Sequence, residues 1–414
     1  MNISLPYGRS GLQAKLTQTN IQSATSTKWD VEPDTLDSAI RQPIGLKLSE
    51  LAKESRSAVI VTCDKTRGVP SNLTIPLVLE ELKKGGIHHD QVKVLVAKGL
   101  HKGETMSDIR ERFGDKLTST LHFEIHDSDN ERALTDLGEL PSGIPLQLNR
   151  TVAESQLVIM ESTVEPHFFA GFTGGSKVIL PGVAGTETVM QNHCPKNIDD
   201  PKCRYGVLEN PIRDDANQAL KHLQKTFAIN LILDIQKRIV HATAGEPEPS
   251  FNAAAKTVLK HSSITVNPTP DIIITTNGGY PLDRNLYQCV KGIAAPENIL
   301  HSKSKIIMLG ECADGVAHKD FLELLSNYPP SELYTKIKNR EIVTKDIWQA
   351  QVLCRILSKT QVSFVTRPQL KEQIRSIHMN FAASVEEALQ TIDPSGNQTI
   401  LIAPEGPSTI LQTT

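Results

Sequence analysis

Residues 58–103 read AVIVTCDKTRGVPSNLTIPLVLEELKKGGIHHDQVKVLVAKGLHKG. The first six and those at 92–97 are β-branched, apolar and largely unalternated. Such runs fit strands covered on both faces, as in a parallel sheet. Between them, 73–84 carries apolar residues at 76, 77, 79 and 82 and stops at Gly85-Gly86, as a helix does. Strand, helix and strand in sequence make an α/β unit.

Five more runs repeat the strand signal: 157–160 (LVIM), 271–276 (DIIITT), 305–309 (KIIML), 362–365 (VSFV) and 399–403 (TILIA). The T-x-x-D at 105–108 resembles a capping box and predicts a helix over 105–113 ended by Gly114. A polar stretch around 252–270 separates two such groups of elements, and VNPTPD at 266–271 reads as a linker feeding a new strand. The fold expected is two α/β domains with mainly parallel sheets and an active-site cleft between them. The boundaries are 1–265 and 266–403, with the tail 404–414 packing back on the first domain.

At 414 residues the chain exceeds one ordinary core. A net charge of −3 argues against a nucleic-acid partner held by a basic surface. No run of eighteen apolar residues occurs, and the first sixteen residues lack a signal-peptide pattern. A cytoplasmic protein without membrane attachment is expected. The six cysteines, at 63, 194, 203, 289, 312 and 354, form no CxxC pair. They read as free thiols; Cys194 and Cys203, which follow His193, are weighed as metal ligands.

Ligands of open α/β sheets bind at the carboxyl ends of strands. After 58–63 come Asp64, Lys65, Thr66 and Arg67, a set able to hold a phosphate or carboxylate, though a capped turn with a solvated Arg fits equally. After 92–97 comes His101, in a glycine-bounded loop, a candidate general base or a plain surface histidine. After 157–160 comes EPHFFAGFTGGSKVILPG (165–182), with His167, three glycines and Lys177. The order Ser176-Lys177-Val178 fails the GxxxxGK[ST] phosphate loop. His193 follows in another polar loop. The segment 277–292 (NGGYPLDRNLYQCVKG) opens a helix near Asp283 that sets Gln288 and Lys291 on one face, whether toward a carboxylate or toward solvent.

Taken together, these segments resemble the lactate racemase family over residues 40–300. The shared motifs are D-x-T-R at 64–67, G-L-H at 99–101, H-F-F-A-G-F-[ST]-G-G-x-K at 167–177, P-G at 181–182, His193, and G-Y-P-L-D-x-N-L-Y-Q-x-V-K at 279–291. The resemblance implies a racemase or epimerase of a 2-hydroxy acid, such as lactate, malate or an aldonate. It implies nickel in a pincer nucleotide of the pyridinium-3,5-bisthiocarboxylic acid mononucleotide type, tethered to Lys177. His193 then ligates nickel, and His101 and His167 are paired acid and base. Asp64, Lys65, Thr66 and Arg67 contact the cofactor, and Arg67, Gln288 and Lys291 the substrate. Maturation would need cofactor-synthesis proteins, and a monomer or small homo-oligomer is expected. Lys98 and Ser176 depart from the family pattern; a lysine beside His101 suits a substrate with a second acidic group.

Two other classes compete. A nicotinamide-dependent oxidoreductase needs GxGxxG after a first strand, and none occurs. A non-catalytic nucleotide- or metal-binding protein leaves the two loop histidines without a task.

Overall fold

The computed structural model describes every residue except 27, 28, 32, 33, 102 and 414. Lys102, part of the histidine loop quoted above, therefore lies outside the described residues. All seven apolar runs are strands, and they divide between two six-stranded sheets.

The first sheet runs, edge to edge, Ile239–Gly245, Thr226–Leu233, Leu157–Thr163, Ala58–Cys63, Val92–Ala97, His122–Ile125. Every pairing is parallel except that of the Ile239–Gly245 edge. Ile60, Val94 and Ile159 point into one buried layer with Ile75, Val78 and Leu82 of the helix Ser71–Lys84. Val61, Leu95 and Met160 point to the other face, because side chains alternate along a strand. That second core runs on into the helices Leu286–Ala294 and Ile347–Leu357 of the other sheet. One continuous apolar layer thus joins the two units.

The second sheet runs Asn380–Ala382, Gln361–Val365, Lys305–Leu309, Ile272–Thr276, Ile400–Ala403, Ile21–Ser23, all parallel. Its last edge comes from the other end of the chain. The hairpin of Asn2–Leu5 and Leu12–Lys15 packs Leu5, Ala14 and Leu16 against Ile272, Ile307 and Ile402. The first 24 residues therefore travel with the second sheet, although sequence position groups them with the first. At the opposite terminus, Ile410–Thr413 pairs in parallel with Ser263–Val266. Ile410 packs among Val164, Phe172 and Phe251.

Two local readings are corrected. The polar stretch around 252–270 is not all separator: its first part belongs to the sixteen-residue helix Pro247–Ser262, and only 267–271, within VNPTPD, is the irregular link into the strand Ile272–Thr276. Its prolines stand in the first turn, where no N–H is needed, and Phe251, Ala254, Ala255 and Val258 form its buried stripe. The helix expected to end at Gly114 continues as Met106–Thr120, with Gly114 at φ 75° as an interior kink. The other glycine-ended helix, Ser71–Lys84, stops where expected.

Two charged clusters tie the halves together beside the shared core. Arg355, 1% exposed at its side chain, donates to both carboxylate oxygens of Glu297 and to the Ile198 carbonyl. Lys345 binds Asp129 across the halves at 2.7 Å.

Candidate active site

The site grows from the carboxyl ends of the first sheet. Asp64 leaves the strand Ala58–Cys63 with its N–H donating to Ala97 on the neighbouring strand. Thr66 donates to Asp64 Oδ1 from both its backbone N–H (3.1 Å) and its hydroxyl (2.5 Å), closing an Asx turn. The other carboxylate oxygen, Oδ2, lies 2.7 Å from His101 Nδ1. Burial pushes the Asp64 carboxyl up, but the His101 and Thr66 hydrogen bonds and the Arg67 charge outweigh it and hold it at about 2. Its charge is thus assured at neutral pH, while the His101 side chain is half exposed.

Lys65 turns away. Its ammonium pairs with Asp108 at 2.9 Å and donates to the Gly103 carbonyl. Arg67 stays in the cleft, 3.7 Å from Glu165. Lys98 donates to the His101 carbonyl, bracing the loop from outside.

The glycine-rich segment folds back on itself. Pro166–His167 pairs with Gly171–Phe172 as a two-residue hairpin. Gly171 has φ 71°, and a Cβ there would sit 1.9 Å from the Val207 carbonyl oxygen, so no side chain fits. His167 is buried, and its Nδ1 accepts from the backbone N–H groups of Phe169 (3.4 Å) and Ala170 (3.2 Å). A short 3-10 turn, Gly175–Val178, then carries Lys177. The buried guanidinium of Arg213 ties this loop down by donating to the carbonyls of Phe172 (2.6 Å) and Gly174 (3.1 Å).

His193 closes the helix Thr186–Asn192 and is buried. The Phe169 ring gathers the segment. Its centroid lies 4.5 Å from the His167 ring, 5.1 Å from the His193 ring and 5.3 Å from Lys177 Nζ. Burial holds His167, Lys177 and His193 well below their ordinary pKa values, reinforced at Lys177 by Arg213 and Arg67. Both rings are therefore uncharged at neutral pH, and burial disfavours the charged form of the amine. Among the described residues no carboxylate lies within ion-pair distance of Lys177.

The second unit supplies the facing wall. Asn285 caps the helix Leu286–Ala294 by accepting from the Gln288 N–H. Lys291 Nζ donates to Gln288 Oε1 at 2.7 Å, so the two share one face as their spacing predicts. Burial, with the Arg67 charge, lowers Lys291 to about 8. Arg67, His167 and Phe168 line one cavity with Leu282, Gln288 and Lys291. Both units thus contribute to one cleft, whereas His101, Lys177 and His193 stand outside that lining: His101 is linked to it through Asp64 and the Arg67 turn, and Lys177 and His193 through Phe169 beside His167.

Sequence reasoning passed over Arg213, Glu165 and Tyr205, the last of which lines the same cavity and donates its hydroxyl to the Lys291 carbonyl. Glu165 heads the quoted segment and was detectable as a charge beside His167. Arg213 and Tyr205 lie in ordinary polar contexts, and only burial singles them out. Cys203 is buried against Asn210 and Cys194 is a free thiol. Among the described residues no three His, Cys, Asp or Glu side chains form a metal-binding group. Also among them, no helix is long and apolar enough to cross a membrane.

Comparison with known proteins gives a consistent result. A model described as lactate racemase N-terminal domain matches residues 7–206, and one described as lactate racemase C-terminal domain matches 265–411. A lactate racemase of Thermoanaerobacterium thermosaccharolyticum is 38% identical over 99% of both chains. One of Lactiplantibacillus plantarum is 33% identical over 99% of both. The lactate racemase apoprotein structure from T. thermosaccharolyticum superposes with a TM-score of 0.94 at 37% identity over 100% of both chains. A Thermotoga maritima protein structure shares the fold alone, with a TM-score of 0.65 at 16% identity, covering 89% of this chain and 96% of the other.

Proposed function

Because the chain belongs to the lactate racemase family and is an isomerase acting on a hydroxy acid, we propose that it racemises or epimerises a 2-hydroxy acid with a lysine-tethered nickel-pincer nucleotide. The observation that carries this reading is the convergence of His167, Lys177 and His193 around Phe169. When bound, the cofactor would supply reversible hydride-acceptor chemistry for the C–H bond at the substrate's Cα.

The residues fit such a group. Nδ1 of His193 and Oγ of Ser176 are buried without hydrogen-bond partners, an arrangement native proteins avoid unless something else meets those atoms. A neutral imidazole is a suitable nickel ligand. Burial favours the neutral form of the Lys177 amine, which is a nucleophile that can form the tether. Three basic side chains besides Lys177, namely Arg67, Arg213 and Lys291, surround the site, which suits a phosphate-bearing cofactor and an anionic substrate.

In this reading Arg67 and Lys291 hold the substrate carboxylate from opposite walls, and Gln288 orients Lys291. His101 and His167 handle the hydroxyl proton as paired acid and base. Phe168 and Phe169 exclude water. Asp64 and Thr66 support the turn beside the cofactor, with Lys65 on its outer side. Division near residue 265, into a catalytic N-terminal domain and a substrate-contacting C-terminal domain, belongs to the same proposal. Lactate, malate, another hydroxy acid and an aldonate are the substrates to compare, and preference for lactate would count against a role for Lys98 in binding a second acidic group.

Intact mass and metal analysis of protein made in a cofactor-competent host test the reading. An adduct on Lys177 with stoichiometric nickel is expected. Lys177→Arg should lose both, whereas His193→Ala should keep the adduct and lose nickel. Unmodified wild-type protein without nickel from that host refutes the proposal.

A further inference from the structure

We propose that His101 and His167 are held in opposite neutral tautomers, with Asp64 as the positioning residue for His101 and the amides of Phe169 and Ala170 as its counterpart for His167. The functional weight of this inference rests on the acid–base reading above; the tautomers themselves do not.

A neutral imidazole carries one N–H and one lone pair, and the partner of each nitrogen decides which is which. An ionised carboxylate only accepts. Nδ1 of His101, 2.7 Å from Asp64 Oδ2, must therefore hold the proton, and Nε2 keeps the lone pair. His167 has the reverse surroundings. Two backbone N–H groups point at its Nδ1, and an N–H only donates. Its proton must sit on Nε2.

A substrate hydroxyl thus meets an acceptor at His101 and a donor at His167. His101 can take the hydroxyl proton as it stands. His167 as it stands offers a hydrogen bond to the substrate oxygen, and it must release both amides before Nε2 can accept. The two faces of the site are therefore unequal in the resting protein. The bond to Asp64 is what orients His101, since that ring is half exposed and its loop turns at Gly99 (φ 51°) and Gly103 (φ 86°).

Asp64→Asn makes the inference sharp. The Thr66 backbone N–H and hydroxyl both donate to Oδ1, and the backbone N–H cannot reverse its role. The amide oxygen of the new side chain is therefore held toward Thr66. Its NH2 then faces His101 Nδ1, which is forced to accept, and the proton moves to Nε2.

The test uses full-length, cofactor-free protein labelled with 15N-histidine, in mildly alkaline solution. Two-bond 1H–15N correlations distinguish the tautomers, and His101→Gln and His167→Gln assign the rings. The expected result is a protonated Nδ1 at His101, a protonated Nε2 at His167, and reversal at His101 alone in Asp64→Asn. A protonated Nε2 at His101, or a protonated Nδ1 at His167, in the wild-type spectrum overturns the proposal even if the variant fails to fold. So does a folded Asp64→Asn protein with an unchanged His101. Because no cofactor is present, failure of the Lys177 adduct would remove the racemase mechanism and leave this result standing.

Discussion

Gly171→Ala tests whether the hairpin that presents His167 is held by steric necessity. The substitution costs about 1–2 kcal/mol for placing a side chain at φ 71°, since left-handed backbone is strained for L-residues. Stiffening the unfolded chain offsets about 0.4–1 kcal/mol of that. Gly143, at φ 81° with nothing within 4 Å of its would-be Cβ, isolates these two effects. Gly143→Ala should therefore cost about 1 kcal/mol. At Gly171 the added methyl would lie 1.9 Å from the Val207 carbonyl oxygen, and backbone cannot swing aside as a side chain can. The hairpin and the segment around Gly206 must part, breaking the 3.1 Å bond from the Gly206 N–H to the Gly171 carbonyl and the His167–Gly171 pairing. At about 1 kcal/mol per lost hydrogen bond, the total rises to about 3–4 kcal/mol. Urea unfolding followed by circular dichroism compares the variants, and turnover of matured protein reports whether His167 stays in place. A Gly171→Ala protein within about 0.5 kcal/mol of Gly143→Ala, and fully active, would refute the reasoning.

Two further perturbations follow from buried charges. The Asp64 carboxyl, held at about 2 against its ordinary 3.8, stabilises the fold above pH 3.8 and loses that contribution as pH falls toward 2. The difference corresponds to about 2 kcal/mol, so urea midpoints should fall more steeply in acid for the wild type than for Asp64→Asn, and parallel curves would disprove the linkage. Glu297→Ala leaves the buried Arg355 guanidinium without its carboxylate and should cost about 3–5 kcal/mol. Glu297→Gln should cost less because it keeps the bulk and one acceptor; calorimetry measures both, and equal losses would show that the charge alone carries the cost and that the retained acceptor contributes nothing.

The fold was legible where burial is two-sided. Runs such as AVIVTC and LVIM are apolar throughout because parallel strands at a sheet centre meet core on both faces. The edges were harder. His122–Ile125 carries a histidine and a glutamate, and Ile21–Ser23 is too short to signal at all. The helix Pro247–Ser262 carried little signal because prolines and polar residues crowd its first turn, where a helix tolerates them. In the site, the chemistry-bearing residues were readable because they follow strand ends. Arg213 was not, since an arginine in a polar helix announces nothing until its partners are known.

By itself the sequence determined the alternation of strands and helices, the loops that carry His101, His167, Lys177 and His193, and the helix face shared by Gln288 and Lys291. These depend on periodicity and on neighbours within a few residues. Tertiary structure decided that Lys65 faces Asp108 and that the N-terminal strand joins the far sheet. It also decided that three residues spread from 167 to 193 meet around Phe169 and that His101 is paired with Asp64. Those outcomes depend on contacts between segments distant along the chain. The position of a proton on an imidazole follows from whichever partner the fold brings to it.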